Sequence, residues 1–143
     1  MVAMAATFKV SVRKCVEGKD KVEANARGLR MIMDEPKESD GDNEGMNPVE
    51  ALLSALGGCQ VIGAVGIARE MGFAYEECHI EIEGDFDPDV RPGMKEIRYA
   101  LHFMTDEPQE RVDELAERVA KLCPVALTPE KGVKLVRSTA VKD

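Results

Sequence analysis

Residues 47–72 read NPVEALLSALGGCQVIGAVGIAREMG, and this stretch decides how the chain folds. Asn47 can cap a helix, and Pro48 suits the first helical position, where an N–H has no partner within the helix. Glu50 stands three residues after the cap, as in a capping box. The helix is expected to run to about Met71 and to stop at Gly72. Between Ala51 and Ala68 lie eighteen residues without a charge, which touches the lower limit for a membrane span. Gly57, Gly58, Gly63, Gly66, Ser54 and Gln60 lower the hydrophobicity of that run, and charged strands on both sides suit a globular fold better. The reading is a helix buried on all sides, with no membrane partner.

Working outward, residues 7 to 13 alternate Phe8, Val10 and Val12 with Lys9, Ser11 and Arg13, the mark of a half-buried strand. Glu17-Gly18-Lys19-Asp20 is turn chemistry. Residues 21 to 33 are expected to return as one second strand with Leu29, Met31 and Met33 inward. Asp34 to Met46 reads as an acidic loop. Beyond the long helix, residues 77 to 83 alternate with Cys78, Ile80 and Ile82 inward. Residues 96 to 103 follow with Ile97, Tyr99, Leu101 and Phe103. FDPDVRPG between them turns the chain, so the two form an antiparallel pair.

A second helix is expected over about 107 to 122, with Val112, Leu115, Ala116, Val119 and Leu122 on one stripe and an Asp106/Gln109 capping box. Pro124 breaks it and starts a short helix over Val125 to Thr128, before a last strand at Val133 to Arg137. The order is β-β-α-β-β-α-β, an α+β fold, and residues 1–143 make one domain's worth of chain. Its strands are too few to hide so apolar a helix. A homodimer whose sheets wrap paired central helices is therefore expected.

Composition narrows the function. Asp and Glu number 27 against 19 Lys and Arg, a net charge of −8, which argues against a nucleic-acid partner, since phosphate binding needs clustered cations. With no Trp, two Tyr and four Phe, eight Met and the aliphatic residues must fill the interior. The N-terminal MVAMAATFKV lacks the pattern of a secretory signal. Four cysteines (15, 59, 78 and 123) are too few for a disulfide scaffold, and none stands in a C-x-x-C pair. A cytoplasmic, reducing location is expected, and there a cysteine that matters does so by reacting.

Two cysteines have unusual surroundings. Cys59 follows Gly57-Gly58, where missing side chains allow close approach. Cys123 precedes Pro124 at an expected helix N-terminus, where free N–H groups stabilise a thiolate. The bland alternative is that both are small buried hydrophobes, as free cysteines usually are. Spacing alone does not say whether they meet.

The run Gly45 to Cys59, GMNPVEALLSALGGC, resembles the N-P-x-E-x-L-x-x-A-x-x-x-C signature of the OsmC/Ohr family. Asp34-Glu35-Pro36, Arg91-Pro92-Gly93 and Cys123-Pro124-Val125 fit the same pattern in the same order. The resemblance implies an intertwined, swapped homodimer with long central helices and two sites at the subunit interface. It also implies a thiol-dependent hydroperoxide reductase without haem, flavin or metal. Cys59 matches the peroxidatic cysteine and Cys123 the resolving one. A thiolate attacks the peroxide, the resulting sulfenic acid condenses with the second thiol, and an external dithiol, of unknown identity, resets the disulfide.

In the family an arginine, held by the glutamate that matches Glu50, keeps the thiolate charged. Arg27 is favoured here by its parity with Leu29, Met31 and Met33; Arg30 and Arg13 are the alternatives. Glu50 also serves as a capping-box residue. Glu50 and Cys59 are nine apart, about 180° around an ideal helix, so either the helix breaks near Gly57-Gly58 or the arginine bridges across. Other functions on the same fold are a non-enzymatic binder of a small apolar ligand and a cysteine redox sensor. Cys15 and Cys78 read as structural, and His79 and His102 are too far apart in sequence for a ligand motif.

Overall fold

The computed structural model describes residues 5–89, 93–132, 134–136 and 140. The chain divides into two compact units, Met1–Ala55 and Leu56–Asp143. The first is built on a three-stranded antiparallel sheet: β1 (Ser11–Lys14), β2 (Val22–Ala26) and β3 (Leu29–Met33). The expected long second strand is two strands. Ala26 pairs with Leu29, so Arg27 and Gly28 alone make the turn, both at positive φ (55° and 82°), as a two-residue hairpin of matching twist requires. The strand parity assigned to Arg27 therefore does not apply. It is an exposed turn residue.

Val12, Ala24 and Met31 align across the three strands, so the apolar residues share a face as expected. That face is not covered: Val10 is 64 % exposed, Leu29 61 % and Met31 44 %. The loop after β3 carries a short 3-10 turn at Lys37–Ser39 and is organised by Asp34. This buried carboxylate accepts the N–H groups of Glu35 (2.8 Å) and Glu44 (3.1 Å). Burial alone would raise its pKa, but the backbone donors of Glu44, Glu35 and Asp42 outweigh that and hold it below the usual range. Gly41 packs so tightly that a Cβ there would run into the Glu35 carbonyl.

Helix α1 (Pro48–Met71) begins and ends where the sequence places it. Asn47 caps it, its Oδ1 accepting the Glu50 N–H at 2.9 Å. The helix runs unbroken through Gly57-Gly58. By length and composition it could cross a membrane. In this fold its C-terminal part is a core helix, with Leu56, Gln60, Ala64, Ile67 and Ala68 buried. It is not hidden on all sides, however: Leu52, Ile62 and Val65 are 53, 71 and 37 % exposed.

In the second unit, β4 (Glu77–Phe86) and β5 (Met94–Met104) form a long antiparallel hairpin. Its turn residues Val90, Arg91 and Pro92 lie outside the described residues. Gly57 lets α1 approach the inner face of this hairpin, since a Cβ there would stand 3.1 Å from Ile80 Cγ2. Helix α2 (Gln109–Leu122) closes the core with Leu115 and Val119, packed with Ala64, Ile67, Ala68 and Phe73. Leu122, expected on the same stripe, is 67 % exposed. The expected Asp106/Gln109 capping box is also absent: Pro108 is the cap, and Gln109 lies inside the helix, bonded to Asp113. Helix α3 (Pro124–Lys131) follows at once. Lys134, Leu135 and Val136 form no strand; the ends of the expected last strand, Val133 and Arg137, lie outside the described residues.

Candidate active site

Two features of the second unit bring sulfur atoms together. Cys59 stands on α1 two residues after Gly57, the close-approach glycine. Cys123 is the residue that ends α2 and caps α3, and Pro124 fixes that junction by forbidding one continuous helix. The two Sγ atoms lie 2.8 Å apart, and both residues are free thiols. Cys123 is buried and Cys59 half-buried.

The N-terminus of α3 is aimed at this pair. The Ala126 N–H donates to Cys123 Sγ at 3.4 Å, as a capping group accepts from the first turn. Burial, and then the neighbouring Cys123 thiol, raise the Cys59 pKa above the ordinary thiol value, while the Val125 N–H pulls it down. Among the described residues, no side-chain cation takes part in that balance. Tyr99 on β5 is raised first by burial and then by the negative charge that Cys123 and Glu130 can carry, which places its phenol within electrostatic reach of the dithiol.

Between β5 and α3 opens a cavity of about 350 Å³ lined by Leu56, Met94, Ile97, Tyr99, Ala126 and Pro129, together with the polar Lys95, Glu96 and Glu130; Ala126 is the residue whose N–H reaches Cys123 Sγ. Next to Cys59 the chain also buries Gln60 completely, and its amide has no hydrogen-bond partner among the described residues. The α3 amides stand where the sequence placed a helix N-terminus, whereas neither the cavity nor a site role for Gln60 was legible there. Pro124 after Cys123 was the signal for the amides.

The other expected residues fall as follows. Arg27 and Glu50 belong to the first unit. Among the described residues, neither the Arg27 guanidinium nor the Glu50 carboxylate makes a hydrogen bond or ion pair; Arg30 is committed to Glu23 at 2.5 Å. Cys78 faces inward against the core of the second unit, and burial raises its pKa. Cys15 is half-buried at the β1–β2 turn.

Residues 41–136 match the family described as OsmC-like protein. The chain belongs to the OsmC-like family. The match runs from the loop before α1 past Cys123, so both cysteines fall inside it. The α+β fold agrees. The OsmC-like protein of Mycoplasma pneumoniae superposes with a TM-score of 0.78, at 19 % identity over 89 % of each chain. The organic hydroperoxide resistance protein OhrB of Bacillus subtilis superposes with a TM-score of 0.59, at 21 % identity over 85 % of this chain and 89 % of that one. In sequence the chain is 28 % identical to the uncharacterized protein YmaD of Bacillus subtilis, over 75 % of each.

Proposed function

We propose that this OsmC-like protein, residues 1–143 as one domain, reduces organic hydroperoxides with Cys59 and Cys123. The observation that carries the reading is the 2.8 Å approach of two free thiols, with a largely apolar cavity that shares Ala126 with the Cys123 cap, in a fold like that of the organic hydroperoxide resistance protein OhrB. The Cys59 thiolate attacks the terminal peroxide oxygen. The O–O bond breaks, alcohol leaves, and Cys59 becomes a sulfenic acid. The Cys123 thiol condenses with it, releasing water and forming the disulfide, so two electrons pass from the thiols to the peroxide. A dithiol of the cytoplasm restores the pair by exchange. Leu56, Met94 and Ile97 favour an apolar R group. No haem, flavin or metal takes part.

A thiolate at neutral pH requires a cation, because burial works against it at Cys59. We assign that role to Arg27, positioned by Glu50. Its support is that Arg27 has no described partner, whereas Arg30 holds Glu23. The protein acts as an intertwined homodimer. The reason is the amount of apolar surface one chain leaves bare, on α1 (Leu52, Ile62) and on the N-terminal sheet (Val10, Leu29). A second reading, a slow redox sensor with the same sulfenic step, rests on the raised Cys59 pKa alone.

Cumene hydroperoxide consumption with dithiothreitol as reductant tests the proposal. Turnover that disappears in Cys59→Ser supports it; equal rates in both proteins would leave a binder or a sensor.

A further inference from the structure

The chain has two histidines, and folding puts them directly opposite each other. His79 on β4 pairs with His102 on β5. Their rings are stacked, with centroids 4.8 Å apart and planes within 6°. Both stand on the exposed outer face of the hairpin, away from Ile80, which meets α1 on the inner face. Strand pairing holds their Cβ atoms at the short spacing of directly opposed residues, so the two imidazoles lie side by side without any ordering of a loop.

The charge around them is negative. Glu77 and Glu81 share the outer face of β4 with His79, and Glu81 Oε1 lies 3.7 Å from His79 Nε2. The cation on that face, Arg98, is taken up by Glu83 (3.0 Å), Asp85 (2.7 Å) and Glu96 (2.6 Å), farther along the ladder. An imidazole pair flanked by carboxylates suits a cation.

We infer that His79 and His102 form a surface binding site for a divalent transition-metal ion of imidazole preference, such as Zn²⁺, Ni²⁺ or Cu²⁺. Imidazole suits these ions, whereas calcium and magnesium demand oxygen. Two nitrogens bind the ion once the exposed rings pivot toward each other, and water fills the remaining positions. Among the described residues no three His, Cys, Asp or Glu side chains form a metal cluster. The site is thus a two-histidine chelate, with Glu81, 3.7 Å from His79 Nε2, adding negative charge beside it. It is independent of the thiol chemistry.

The test is a Zn²⁺ titration of the full chain carrying Cys59→Ser and Cys123→Ser, so that the dithiol cannot take the ion, followed by histidine side-chain NMR. The expected result is that both rings shift together and saturate at one equivalent. His102→Gln is expected to weaken binding on the order of tenfold or more, because the second ligand acts at high effective concentration. Glu81→Gln weakens it by a smaller factor, with both rings still responding together. Rings that respond at separate Zn²⁺ concentrations, or an affinity unchanged by His102→Gln in a variant with the parent circular dichroism spectrum, would overturn the site.

Discussion

Cys123 Sγ lies 2.8 Å from Cys59 Sγ although 64 positions separate the residues, and the Ala126 N–H points at the Cys123 sulfur. The approach is made by backbone: Gly57 lets α1 close on the hairpin, and Pro124 forces a helix junction whose first turn faces the thiols. In the proposed mechanism, a sulfenic acid formed on Cys59 would therefore meet the Cys123 thiol without a conformational change.

Replacing Cys123 with serine removes that partner and leaves Cys59. One equivalent of peroxide should then leave Cys59 as a sulfenic acid that dimedone traps, and excess peroxide should carry it to the sulfinic state. Mass spectrometry distinguishes the adducts. Wild-type protein should give the disulfide and no dimedone adduct.

The activating cation has a pH signature. Burial raises the Cys59 pKa, and the guanidinium proposed for Arg27 would lower it, so the thiolate population, which grows as pH rises, tests that assignment. Iodoacetamide alkylation of Cys59 in wild type should reach half-maximum below the ordinary thiol pKa of about 8.5. Arg27→Met should move it upward by about one unit or more. An unchanged profile would remove Arg27 from the site.

Ile62, 71 % exposed on α1, should be covered if the chain forms the proposed homodimer. Ile62→Asp would bury an unpaired carboxylate there, at a cost of several kcal/mol, and should weaken association at least about a hundredfold. Light scattering after size exclusion should find a dimer for wild type and a monomer for the variant.

Much of this was legible in the sequence. The bounds of α1 followed from Asn47, Pro48 and Gly72, and the β4–β5 pair from its alternation, because these signals are local. The Arg27-Gly28 turn was missed because arginine is not a residue that positive φ favours, so the alternation read straight through it. The exposure of Leu29 and Met31 was also out of reach, since periodicity says which residues share a face but not what covers it; bare residues on α1 such as Ile62 were foreshadowed by the few strands available to cover it. The His79–His102 pair was dismissed on spacing, and only the strand register brings it together.

Gly41 gives the first unit a sharp stability test. Alanine there would drive its Cβ into the Glu35 carbonyl, and backbone cannot yield as a flexible side chain can. Urea denaturation should show a loss of about 1–3 kcal/mol for Gly41→Ala; a neutral effect would mean that the Asp34–Glu44 loop is less tightly held than its hydrogen bonds suggest.

Intact-mass analysis of the reduced protein after one equivalent of cumene hydroperoxide, followed by peptide mapping, tests the central claim most directly. The loss of two hydrogen atoms per chain, mapped to a Cys59–Cys123 link, is the expected result. An unchanged mass, or oxidation confined to Cys15 or Cys78, would contradict it.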